Sequence, residues 1–144
     1  MKLFSKCSAL ATAAIAVFAL VACDDSSSAS DSYDCSVKNG VKIFYPEGGE
    51  IFKMGDTITV VYGTDVQGSG YRFVFKKYED DEGLDFFDES KGPQEPNGKT
   101  CFEQKVVFTD DVAEHSKNAL IRVIPYEKTK LGANSGSFKL NEKK

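Results

Sequence analysis

An all-β, antiparallel sandwich of about seven strands is the fold this 144-residue chain predicts. Three observations point to it: apolar and polar residues alternate in short runs, Gly- and Pro-containing turns bound those runs, and almost no segment keeps a helical period. Val41-Lys42-Ile43-Phe44-Tyr45 reads as the first strand, ended by the turn Pro46-Glu47-Gly48-Gly49. Ile51-Phe52 forms a brief second element before Met54-Gly55-Asp56. Thr57–Tyr62 alternates, with Ile58, Val60 and Tyr62 on one face. Tyr71, Phe73 and Phe75 alternate with Arg72 and Lys76, and Val106 with Phe108 marks another strand. Ala119, Ile121 and Val123 alternate with Leu120, Arg122 and Ile124, and Ser137-Phe138-Lys139-Leu140 closes the set. Only Asp110–Lys117 offers a helical turn, with Asp110 or Asp111 as its cap.

The order of these turns and strands carries a resemblance. Ile43-Phe44-Tyr45-Pro46-Glu47-Gly48-Gly49-Glu50-Ile51-Phe52-Lys53-Met54-Gly55-Asp56-Thr57-Ile58-Thr59-Val60 resembles the opening of a family of immunoglobulin-like domains. That family is known from Ser/Thr-rich, GPI-anchored yeast cell-wall proteins and recurs in bacterial extracellular proteins. Tyr62 stands where its second strand ends in an aromatic, and 119–123 and 134–140 resemble its last two strands. The resemblance covers both ends of the domain; the acidic middle departs from it. It implies an immunoglobulin-like fold, a cell-envelope location and a structural or wall-assembly role, with no catalytic residues to carry over.

Ahead of the domain the chain reads as an export signal. Met1-Lys2-Leu3-Phe4-Ser5-Lys6 is basic, and the apolar run from Ala9 to Ala22 falls short of the ~20 residues that cross a bilayer. The run ends in Leu20-Val21-Ala22-Cys23, which resembles the bacterial lipobox. The resemblance implies cleavage after residue 22, a diacylglyceryl group on the Cys23 thiol and an acyl chain such as palmitate on its amine. Two or three chains hold a protein on a bilayer stably where one does not. Residues 23–36 then form a lipidated, disordered tether, small, polar and acidic with little to bury, and residues 37–144 the sandwich. Asp24 and Asp25 directly after the lipidated Cys suit either inner-membrane retention facing the periplasm or export to the outer membrane and cell surface; the second is the preferred expectation.

Charge and cysteine usage narrow the function classes. The chain carries 18 basic and 22 acidic side chains; losing Lys2 and Lys6 with the leader leaves 16 against 22, near −6. An acidic domain without a basic stripe speaks against nucleic acid, whose binding depends on neutralising phosphates. With Cys7 removed and Cys23 acylated, Cys35 and Cys101 remain, and in an exported protein a disulfide between them is the expectation, two free thiols the alternative. Two distant Cys and the single His115 are too few for a zinc site.

The segment 79–90 is the natural place to look for chemistry. Its carboxylates suit calcium, but the spacing does not fit the D-x-[DN]-x-[DN]-G loop, whose first two ligand positions before Gly83 are held by Tyr78 and Asp80, so a solvated loop is the simpler expectation. Leu84, Phe86 and Phe87 either cover a sheet edge or present an apolar patch to a partner. Tyr78 and Tyr126 are the tyrosines least suited to a core and the ones a sugar platform would use. Paired acids on loops without an evident cleft do not make a glycosidase, and His115 has no Ser or Cys motif beside it. The expectation is therefore a non-enzymatic, cofactor-free module. Its partners are the lipid bilayer through acylated Cys23 and an envelope protein or polysaccharide, through Tyr78, Leu84, Phe86, Phe87 and Tyr126.

Overall fold

The computed structural model describes residues 29–89 and 95–144; the leader and Cys23 lie outside them. The strands run β1 (Val41–Tyr45), β2 (Ile51–Lys53), β3 (Thr57–Thr64), β4 (Tyr71–Lys76), β5 (Leu84–Asp85), β6 (Phe102–Val107), β7 (Ser116–Pro125), β8 (Ala133–Asn134) and β9 (Phe138–Asn141). One sheet has the order β1-β3-β6; the other has the order β2-β9-β7-β4-β5, with β8 on β7. All pairs are antiparallel except β2 with β9, where Ile51 lies opposite Lys139 and Lys53 opposite Asn141. This is an immunoglobulin-like sandwich in which the first strand is split between the sheets. The split falls at the Pro46–Gly49 turn, where Gly48 and Gly49 take the positive φ that side chains resist.

The alternation decides which residues are inside. Ile43, Ile58, Val60, Tyr62 and Val106 from the smaller sheet meet Phe52, Phe73, Phe75, Ala119, Ile121, Val123, Phe138 and Leu140 from the larger. Phe108, just past β6, fills the middle: its ring lies 5.7 Å from Phe52, 5.6 Å from Phe138 and 6.2 Å from Phe75. Such aromatic contacts add to the apolar burial that drives folding.

Three sequence expectations change. The helical turn expected at Asp110–Lys117 is short and starts earlier: the amides of Val112 and Ala113 both donate to the Thr109 carbonyl, and β7 has begun by Ser116. Pairing of Ser116 with Leu140 recruits that segment into the sheet. β5 and β8 are two-residue strands, too short to show a period. Ordered structure also starts before residue 37. Tyr33 packs on Phe44 at 6.1 Å and donates to the Glu47 carboxylate, so the end of the expected tether belongs to the domain.

Candidate partner-binding surfaces

Residues 35–40 lie as a strap on the outer face of the smaller sheet. The Cys35–Cys101 disulfide joins this strap to the residue preceding β6, with Cα atoms 5.1 Å apart, an ordinary spacing for the bond. Phe102 turns inward against Tyr62, so its neighbour Cys101 faces out toward the strap. The Val37 amide donates to the Gly98 carbonyl, and the amides of Asn39 and Gly40 donate to Asp65. Those two bonds hold the Asp65 carboxyl below its usual range. Val61, which alternates with the core-facing Val60 and Tyr62, is nevertheless fully buried.

The strap brings Tyr33 to a groove that the sequence gives no sign of. β1 pairs with β3 only back to Val61, whereas β6 follows β3 to Thr57. Where β1 crosses to the other sheet, a groove of about 500 Å³ opens. Tyr33, Tyr45 and Phe52 supply its aromatic walls, and Asp56, Thr57 and Thr59 its polar rim. Burial, and next the Glu47 carboxylate that accepts its hydrogen bond, push the Tyr33 hydroxyl up to about 12. Tyr45 moves in the same direction, chiefly through burial. The Asp56 carboxylate is already engaged by the Lys53 amide. Tyr33 escaped the sequence reading because one aromatic in a run of Ser and Asp has no period to betray it.

The residues named from sequence separate into three groups. Tyr78 and Leu84 share the hairpin that follows β4, and both are more than half exposed. Phe86 and Phe87 are half-buried and pack on the core, Phe87 against Phe73 and Phe86 against Phe75 and Phe108. Of the two alternatives for this cluster, these two rings cover an edge, while Leu84 alone stays open. Tyr126 sits at the other end of β4, its amide donating to the Gly70 carbonyl. Tyr78 and Tyr126 thus stand beyond opposite ends of β4, whose six residues span about 17 Å at ~3.3 Å per residue, and do not form one platform.

The acidic hairpin folds over the sheet instead of extending from it. Asp85 takes two bonds of 2.9 Å from the Arg72 guanidinium, and Asp81 accepts the Lys77 amide. A Cβ on Gly83 would collide with Val74, so the turn lies directly on the buried outer side of β4. Among the described residues no group of three or more His, Cys, Asp and Glu side chains is placed to hold a metal. His115 is exposed, its Nδ1 3.4 Å from Glu142. No helix among the described residues is long and apolar enough to cross a membrane. Comparison with models of known protein families and with curated proteins finds no match for this chain.

Proposed function

We propose that this protein is a lipid-anchored component of a bacterial cell envelope whose immunoglobulin-like domain binds or scaffolds another envelope component without catalysing a reaction. The observation that carries the reading is the succession of a basic start, a short apolar run and Leu20-Val21-Ala22-Cys23 shortly ahead of a sandwich closed by a disulfide. Acyl chains at Cys23 would hold the domain at a bilayer, and a disulfide is the staple expected of a small domain outside the reducing cytoplasm. The hairpin with exposed Tyr78 and Leu84 is the surface offered to a protein partner. Outer membrane or cell surface is the preferred location, with the periplasmic face of the inner membrane as the alternative. Protease added to intact cells tests this: removal of the domain while a periplasmic marker survives places it outside, and full protection moves the search to periplasmic partners.

A second reading has one specific observation in its favour. The groove of Tyr33, Tyr45 and Phe52 combines ring faces with hydroxyl and carboxylate groups, the chemistry that receives a sugar's apolar face and its hydroxyls. On this reading the lipoprotein retains polysaccharide, through that groove and not through Tyr78 or Tyr126. Pull-down on insoluble glycans separates the two: retention lost in Tyr33→Ala and kept in Tyr78→Ala supports the glycan reading.

A further inference from the structure

We infer that the lysine-lined groove at the β2–β9 side of the larger sheet is a docking surface for an anionic phospholipid bilayer. The inference rests on the proposed anchoring at Cys23 and adds how the domain lies on that membrane. Lys53, Lys117, Lys139, Lys143 and Lys144 line one groove of about 650 Å³, with Glu142 the one carboxylate among its lining residues. Strand register gathers them: Phe52, Phe138 and Leu140 turn inward, so Ile51, Lys53 and Lys139 turn out together on paired strands. His115 Nδ1 lies 3.4 Å from Glu142, and Asp110 and Glu114 border the adjoining turn. Glu114 is already paired with Lys77. Five lysines therefore line the groove beside one acidic side chain, with Asp56 at the adjoining turn, in a protein whose mature form is near −6. The acidic hairpin stands at the other edge of the same sheet, beside β5. An acidic protein with its lysines gathered at one edge presents that edge to a negative surface.

Which negative surface follows from where the chain leaves the domain. Going back from Cys35, which lies over Gly63, the chain reaches Ser32 and Tyr33 beside Asp56–Thr59, so it runs toward the end where β3 begins. Lys53 precedes the turn at that end, and the Lys143 side chain lies 4.0 Å from where a Cβ on Gly55 would stand. Between Cys23 and Ala29 the chain spans at most ~20 Å at ~3.3 Å per residue. An acylated Cys23 therefore keeps the lysine-bearing end within reach of headgroups, where charge attraction acts over about a Debye length of ~8–10 Å. Ile51, two-thirds exposed, stands on the same outward face beside Lys139 and adds an apolar contact at the headgroup boundary.

The test uses the mature full-length chain carrying Cys23→Ser, sedimented with vesicles of phosphatidylcholine with or without phosphatidylglycerol. Binding is expected only to the phosphatidylglycerol vesicles and falls steeply with salt. The pair Lys53→Gln/Lys139→Gln weakens it roughly 25-fold, at about fivefold per lysine near the surface, whereas Lys99→Gln/Lys128→Gln leaves it unchanged. Absence of binding, equal binding to uncharged vesicles, or equal loss in both pairs overturns the inference. Retention on a soluble polyanionic glycan without vesicle binding overturns it as well, naming glycan as the partner. The acyl mass on Cys23 of the wild-type protein is read separately. Acylation without vesicle binding sinks the docking surface alone; vesicle binding without acylation sinks the anchoring reading and leaves the surface standing.

Discussion

The carbonyl oxygen of Cys35 lies across Gly63, only 2.5 Å from the point where a Cβ on residue 63 would stand, with Val37 Cγ2 at 3.0 Å from the same point. A side chain there would lift the strap off β3 and shift the Tyr33 segment that leads into it. Gly63→Ala should therefore destabilise the domain by about 1–3 kcal/mol, the ordinary cost of overpacking. Its melting temperature should fall by several degrees, at roughly 4–8 °C per kcal/mol for a domain of this size. Thermal unfolding followed by circular dichroism reads this directly; an unchanged transition would mean the strap does not lie on β3.

The disulfide closes a loop with a sequence separation of 66 residues. On the chain-entropy model a closure of that length restricts the unfolded chain by about 4 kcal/mol. The urea midpoint should drop markedly in reductant, and the pair Cys35→Ser/Cys101→Ser should show the lower midpoint with or without it. Equal midpoints for the wild type in both conditions would remove the bond from the account.

Burial and hydrogen bonding around Tyr71 predict a different loss. Its hydroxyl donates to the Val66 carbonyl at 2.6 Å and lies 2.9 Å from Thr64 Oγ1, all within the protein interior. Tyr71→Phe leaves those partners short of a bond and should cost about 1–3 kcal/mol, measured as a shift in urea midpoint at unchanged slope.

Acid should loosen the strap. The Asp65 carboxyl is held below its ordinary value by the amides of Asn39 and Gly40. A lowered folded-state pKa contributes stability that is complete above the unfolded value, near 4, and lost as pH falls through the folded value. Stability should therefore be level near neutrality and fall below about pH 4. Asp65→Asn, which cannot titrate, should flatten part of that fall in urea unfolding series at stepped pH.

The apolar residues after β4 should divide by role. Phe86→Ala and Phe87→Ala open space beside core rings and should each cost about 1–3 kcal/mol, less than a fully buried Phe because each is only partly buried. Leu84→Ser and Tyr78→Ala should leave stability within about 0.5 kcal/mol, as exposed sites do. If instead all four destabilise alike, the hairpin is packing throughout and offers no free surface.

Much of this architecture is legible in the order of residues. Ile58, Val60 and Tyr62, or Phe73 and Phe75, alternate because one side of each strand meets the core, and that period survives in the sequence. Cys35 and Cys101 were legible as a pair because the expected leader and lipobox left them as the two cysteines without an assigned role. The groove was not, since it depends on β1 leaving β3 at Val61 and on Tyr33 being carried there by a strap. Val61 reads as a solvent-facing position on β3, yet it is fully buried. The lysine groove was hidden for a similar reason: parallel pairing of β2 with β9 joins Lys53 to lysines far along the chain. A net acidic composition averages over that local cluster.

The most direct test of the proposed lipid anchor is the intact mass of the mature protein extracted from membranes of its own host, with the N-terminal peptide fragmented. A lipid-anchored protein gives a chain that begins at Cys23, carries a diacylglyceryl group on its sulfur and an acyl chain on its amine, and stays with the membrane fraction in high salt. A soluble protein with an unmodified Cys23, or with its N-terminus elsewhere, would contradict the anchor.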